Sequence, residues 1–306
     1  MISLIIPCFN EEESLPLFYP EATSVLRQMN CDYELIFVND GSRDRTLEIL
    51  KELSEKDPHV IYLSFSRNFG KEAAMYAGFC NARGDYVAVM DADLQDDINA
   101  VDEMIEKFDG GCDIVYGVRS ERKTDTFFKK FTAQGYYKLL AMMGVDIVYN
   151  HADYRLMSRR ALQNLESFGE VNLFLRGVVP MIGYKTDKVY YERAERFAGE
   201  SKYPLKKMLA FAMEGITSLS VKPIRFITST GFVIFVISLL MLIYSLVRYF
   251  MGATIPGWTS LAVSVWAIGG LQLLAIGVVG EYIGKIYLET KHRPKYIVET
   301  YLHRDE

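Results

Sequence analysis

Asp85-Tyr86-Val87-Ala88-Val89-Met90-Asp91-Ala92-Asp93 is the stretch on which the fold turns. An unbroken apolar run ends abruptly on two carboxylates. Apolar residues without polar alternation suit a strand covered on both faces, hence a strand of a parallel sheet. Four more runs read the same way: Ile2–Pro7, Glu34–Asn39, Val60–Phe65 and Asp113–Gly117. Helical patterns lie between them, over Leu15–Gln28, Arg45–Lys56, Lys71–Ala82 and Asn99–Phe108. Such alternation predicts an open α/β sheet of Rossmann-like, mostly parallel character. Ligands of these sheets bind beyond the carboxyl ends of the strands. Here those ends carry Asn10-Glu11-Glu12, Asp40-Gly41-Ser42, Arg67-Asn68 and Asp91-Ala92-Asp93, more polar groups than packing asks for.

The last third of the 306 residues is different. No charge occurs from Phe226 to Val247 or from Met251 to Gly280. About 20 apolar residues in a helix cross a bilayer core, so two transmembrane helices are expected, at 224–250 and 258–284. The loop Gly252–Ser260 lacks Lys and Arg, whereas Lys202, Lys206, Lys207, Lys222 and Arg225 precede the first span and Lys285, Lys291, Arg293 and Lys295 follow the second. That asymmetry predicts a multi-pass cell-membrane protein with both termini cytoplasmic. The expected organisation is a cytoplasmic catalytic domain over 1–200, an interfacial amphipathic helix over 201–223, the two spans, and a cytoplasmic tail over 285–306. Thr126–Met143 is a second aromatic, basic amphipathic stretch. Both such stretches suit a membrane interface or packing on the sheet.

Met1-Ile2-Ser3 has no basic region and no long apolar run after it, so no signal peptide is expected. Cys8, Cys31, Cys80 and Cys112 show no metal-binding spacing and read as free thiols in a reducing compartment. A net charge of −5 argues against a nucleic-acid partner.

Carboxylates fixed at a strand end can hold a hard divalent cation that bridges phosphate oxygens and neutralises a diphosphate leaving group. A lone Asp-x-Asp triplet is weak; this one stands beside other polar strand ends. Three segments in order, Ile5-Ile6-Pro7-Cys8-Phe9-Asn10-Glu11-Glu12, Val38-Asn39-Asp40-Gly41-Ser42-Arg43-Asp44 and Asp91-Ala92-Asp93-Leu94-Gln95-Asp96, resemble glycosyltransferase family 2, in particular its polyprenyl-phosphate glycosyltransferases. The pair of C-terminal spans resembles the bacterial bactoprenol-linked members.

That resemblance implies a GT-A fold and transfer, with inversion, of a sugar from a nucleotide-sugar to a polyprenyl (undecaprenyl) phosphate. A UDP-hexose such as UDP-glucose is the expected donor, with GDP-mannose as the alternative. It implies donor binding by Pro7, Asn10, Glu11, Asp40, Asp91 and Gln95, and Mg²⁺ or Mn²⁺ held by Asp91 and Asp93. Arg196 and Lys202 match a segment that closes over the diphosphate, or form a solvated loop. Asp153 matches an acidic residue near the reacting centre; from the bare sequence it could equally cap a helix starting near Ser158. Arg119 matches an arginine near the acceptor phosphate, where Lys129 and Lys130 would assist. Asp93, Asp153 and Arg119 are thus the expected catalytic residues. Arg122 and Lys123 are candidates for lipid head groups. Related members imply a homo-oligomer, with a tetramer as one form, and Gly269, Gly270, Gly277, Gly280 and Gly284 permit close helix contact. Two rival readings meet the sequence less well. A processive polysaccharide synthase would carry a Gln-x-x-Arg-Trp motif, in which neither Trp258 nor Trp266 sits. A silent membrane scaffold would be expected to lose charged site residues, and all are present.

Overall fold

The computed structural model describes residues 1–29, 31–120, 142–144, 151–170, 174–192, 215–251 and 257–302. Its centre is an eight-stranded sheet of order β7-β5-β6-β4-β1-β2-β3-β8. The five strands expected from the apolar runs are β1 (Ile2–Cys8), β2 (Tyr33–Asn39), β3 (Val60–Phe65), β4 (Tyr86–Val89) and β5 (Ile114–Arg119). Parallel pairing joins β4, β1, β2 and β3, and separately β5 to β7 (Thr186–Tyr191). Two strands run against the rest: β6 (His151–Ser158), wedged between β4 and β5, and β8 (Val298–Leu302), on the β3 edge.

Alternate side chains of the central strands feed two cores. Ile2, Leu4 and Ile6 of β1 pack with α1 (Leu15–Gln28) through Leu15, Phe18 and Leu26, and with α4 (Ala100–Asp109) through Val101 and Met104. Leu50 of α2 (Thr46–Lys56) joins the same face. Ile5, Ile36 and Val38 point the other way, onto α3 (Lys71–Asn81), α5 (Arg159–Glu166) and α6 (Leu175–Met181). Gly78 lets α3 lie against β1: a Cβ there would fall 2.2 Å from Ile5 Cγ2.

Two long helices follow, α7 (Lys222–Phe250) and α8 (Trp258–Thr290). Both are long and apolar enough to cross a membrane, and their windows of highest hydropathy are unburied. Phe232, Phe235, Leu240, Leu273, Leu274 and Ile276 are exposed, an apolar surface far larger than water tolerates well. The Lys285 ammonium donates to Ser218 Oγ at 2.6 Å, tying the end of α8 to the segment before α7.

The chain after α8 returns to the sheet. Ser66 N donates to Ile297 O at 3.1 Å, β8 pairs with β3, and Tyr296 stacks on Phe65 at 5.0 Å between ring centroids. Lys295 lies over the Tyr76 ring and donates to Phe168 O at 3.1 Å. The sheet is therefore finished by residues from beyond α7 and α8.

Candidate active site

The loops after β1 and β2 are stitched together. Asn10 takes a left-handed conformation (φ 56°), which its short polar side chain tolerates. Its Oδ1 accepts from Arg43 N at 2.9 Å, and its own N–H donates to Ser42 Oγ at 2.9 Å. Glu11 N donates to Thr46 Oγ1, Glu12 N to Asp44 Oδ2, and Arg45 N to Glu12 Oε2. Pro7 pairs with Val38 one step below. Gly41 (φ 64°) lies so close to the Arg67–Asn68 peptide that a Cβ would sit 2.4 Å from the Arg67 carbonyl carbon. The first two motifs thus build a rigid rim.

Asp40 is buried, and both its oxygens serve the backbone. Oδ1 accepts from Phe69 N at 2.6 Å and Oδ2 from Gly70 N at 3.0 Å. Burial raises its pKa, and these two amides work in the opposite direction. Its contacts here are those of a clamp on the turn that starts α3, so the donor role expected of it rests on oxygens already engaged with main chain. The first residue after that turn is Lys71.

Register explains what Lys71 does. Because β6 is antiparallel, Val89 of β4 faces Arg155 of β6. Asp91 follows the end of β4 and Asp153 lies within β6, close enough for one ammonium to reach both, and two carboxylates held so near repel. The Lys71 ammonium resolves this, 2.7 and 2.8 Å from the two Asp91 oxygens and 2.6 Å from Asp153 Oδ2. A lysine in the first turn of a helix runs against the helix dipole; the two carboxylates offset that cost. Loss of solvent around its partly exposed ammonium would push the Lys71 pKa down, and the charges of Asp153 and Asp91 outweigh that and hold it well above the ordinary value.

Asp153 is 6% exposed and ringed by cations. Arg176 of α6 reaches it with Nε 2.8 Å from Oδ1 and Nη2 3.2 Å from Oδ2. Arg155, fully buried, lies 3.6 Å from Oδ1 and donates to Asp153 O and Leu175 O. Burial opposes the Asp153 charge, but Lys71 and then Arg176 more than reverse that, so its pKa falls well below the carboxylate range. Asp153 is poorly suited to remove a proton and well suited to orient groups. The helix-cap alternative is removed: Ser158 caps α5, its Oγ accepting from Ala161 N at 3.0 Å, and Asp153 stands upstream inside β6.

The loop after β4 holds the remaining residues. Asp93 Oδ1 accepts from Gln95 N at 3.2 Å, and Gln95 and Asp96 are buried. Arg119, at the end of β5, donates to Asp96 Oδ1 from Nε at 3.2 Å and Nη2 at 3.0 Å, while Tyr191 OH donates to the same oxygen at 2.6 Å. Arg119 remains 26% exposed against 1% for Asp96, so it is braced from behind with part of its surface open. Tyr154 OH donates to Asp97 O at 3.0 Å and fixes the same loop from β6. Asp91 and Asp93 offer only oxygen donors, at a rim that already binds one cation, the Lys71 ammonium; this donor set suits a hard divalent ion.

The structure therefore gathers Asp91, Asp93, Gln95, Arg119 and Asp153 at the carboxyl ends of the parallel strands, on the same side of the sheet as Asn10, Glu11 and Asp40. Arg122, Lys123, Lys129, Lys130, Arg196, Lys202, Lys206 and Lys207 lie outside the described residues. Lys71, Arg155 and Arg176 had no counterpart in the sequence reading; the one signal was a lysine where a helix dipole disfavours it.

A sequence profile described as "Glycosyl transferase family 2" matches residues 3–166. The glycosyltransferase YkoT of Bacillus subtilis (strain 168) is 48% identical over 314 residues, covering 100% of this chain and 93% of the relative. The bactoprenol glucosyl transferase of Shigella phage SfV is 46% identical, covering 97% of this chain and 98% of the relative. The prophage bactoprenol glucosyl transferase homolog of Escherichia coli (strain K12) is 43% identical over the same shares. Among solved structures, mannosyl-3-phosphoglycerate synthase from Rubrobacter xylanophilus is similar with a TM-score of 0.49 and 14% identity, over 70% of this chain and 71% of that one. On the profile match and the near full-length likeness to these relatives, the chain belongs to glycosyl transferase family 2.

Proposed function

We propose that the protein transfers one hexose, glucose from UDP-glucose, to polyprenyl phosphate at the cytoplasmic face of a membrane. The observation that carries this reading is the joining of a charged strand-end site to an exposed apolar helical hairpin through β8, which returns from α8 into the catalytic sheet. A site so tethered suits an acceptor that lives in the bilayer. The relatives named bactoprenol glucosyl transferase support both the sugar and the lipid.

Asp91 and Asp93 would hold a divalent ion, Mg²⁺ or Mn²⁺, which when bound supplies charge neutralisation to the diphosphate leaving group. The rim of Asn10, Glu11 and Asp40 lies beside that position and would receive the nucleoside. A phosphate monoester is largely ionised near neutral pH, with a second pKa of about 6, so the acceptor needs no base. Its oxygen attacks the anomeric carbon, the bond from that carbon to the diphosphate breaks, and configuration inverts. Asp153 orients and Arg119 receives acceptor charge, with Lys129 and Lys130 assisting; Arg196 and Lys202 would close over the diphosphate. A homo-oligomer packed through α8 is part of the proposal: Cβ atoms placed at Gly269, Gly270, Gly277, Gly280 and Gly284 would meet nothing within 4 Å.

A donor panel tests this. Purified protein is incubated with undecaprenyl phosphate and a series of UDP- and GDP-sugars, in Mg²⁺ or Mn²⁺ and in excess EDTA. UDP-glucose is expected to give lipid product only with metal. A GDP-sugar as the working donor, or full activity in EDTA, contradicts the donor or the metal assignment respectively.

A further inference from the structure

The geometry points to Lys71 as a positioning residue that competes with the divalent ion for Asp91: it holds Asp91 and Asp153 together, and yields Asp91 while keeping Asp153 when the ion binds. The inference rests on the proposal that Asp91 and Asp93 are the metal ligands. Both oxygens of Asp91 lie 2.7 and 2.8 Å from a single ammonium. A metal on either oxygen would sit at about 2.0–2.6 Å, leaving two cations on one carboxylate, where like charges repel. Asp153 gives Lys71 a second anchor at 2.6 Å, and Arg176 already takes the other side of that carboxylate. The Lys71 side chain is 40% exposed and its Asp153 contact is independent of Asp91, so it can leave one carboxylate and keep the other. Its backbone cannot follow, because Asp40 pins the preceding Phe69 and Gly70 amides. The pivot therefore lies in the side chain alone, and the released ammonium stays at the rim where a diphosphate would lie.

A merely structural lysine and a competing one predict opposite signs. Mn²⁺ binding is followed by electron paramagnetic resonance of the free ion, without nucleotide, on the full-length protein in detergent. Lys71→Met is expected to bind Mn²⁺ at least threefold tighter than wild type while its turnover drops at least tenfold. Unchanged or weaker Mn²⁺ binding in a variant with a native thermal melt overturns the inference. A second readout uses the wild type: acetic anhydride labelling of Lys71, quantified by peptide mass spectrometry, should rise at least threefold in samples that have bound Mn²⁺. Equal or lower labelling overturns the inference even if Lys71→Met fails to fold. If wild type binds no Mn²⁺ with or without UDP, the metal assignment falls and the competition with it; if wild type binds and Lys71→Met does not tighten, only the role of Lys71 falls.

Discussion

Arg176 grips Asp153 with two teeth, Nε to Oδ1 at 2.8 Å and Nη2 to Oδ2 at 3.2 Å, from a helix 23 residues further along the chain. Truncating the arginine leaves a buried carboxylate with Lys71 on one oxygen and Arg155 at 3.6 Å from the other. Hydrogen bonds to charged groups contribute about 1.5–3 kcal/mol. Arg176→Ala should therefore lose about 2 kcal/mol of stability and at least tenfold in turnover, read by denaturant unfolding and initial rates. Wild-type values for both would show that the pair orients nothing.

Glu72 offers a pH test. Burial, and then the Asp153 charge, push its carboxyl up to about 7 from 4.5. The folded protein keeps this proton to higher pH than the unfolded chain does. The stability it contributes is complete below the ordinary carboxylate pKa and drains as pH climbs through about 7. Glu72→Gln removes that drain, so the melting temperature of the variant minus that of wild type should grow from pH 5 to pH 8. A difference that is flat, or shrinks with pH, contradicts the assignment.

Arg119 is expected to serve the lipid and not the nucleotide. Arg119→Ala should lower kcat/KM for polyprenyl phosphate at least tenfold, about 1.4 kcal/mol, while UDP-sugar affinity by calorimetry stays within twofold. Tyr191→Phe, which removes the other donor to Asp96 but keeps Arg119, should leave lipid kinetics within threefold. Lost UDP-sugar affinity with intact lipid kinetics would move Arg119 to the donor side.

Topology is testable by thiol labelling. Cys31 and Cys80 are exposed and must first be replaced by serine. A cysteine at Ser260 should react with an impermeant reagent in intact cells, and one at Glu299 on β8 should not. The reverse pattern would contradict the inward placement of the domain.

Periodicity made β1 to β5 and α1 to α4 legible, because strands covered on both faces are continuously apolar and the helices between them repeat at 3.6 residues. Short motifs pointed to Asp40, Asp91 and Asp93, which follow the ends of β2 and β4. The cation ring was not legible. Lys71, Arg155 and Arg176 are single basic residues on three elements, joined only because β6 runs antiparallel into the middle of the sheet, a topology that apolar runs do not encode. His151–Ser158 carries Asp153 and Arg155 inward among its apolar residues, so the strand lacks the plain signal of its neighbours. The Asp40 carboxylate, expected to bind nucleoside, also clamps the turn ahead of Lys71, a second role its motif did not reveal. The segment after α8 carries β8, whose signal lay in Tyr296-Ile297-Val298 before Thr300-Tyr301-Leu302, the β-branched and aromatic make-up of a strand.

The acceptor is the centre of the account. The most direct measurement compares undecaprenyl phosphate with undecaprenol, each supplied with UDP-glucose and metal, with lipid products resolved by mass spectrometry. The phosphate is expected to gain the mass of one hexose and the alcohol none, because the attacking oxygen must already be ionised and Asp153, held well below the carboxylate range by Lys71 and Arg176, is poorly suited to deprotonate a hydroxyl. Equal glucosylation of the alcohol, or no lipid product with any nucleotide-sugar, would contradict it.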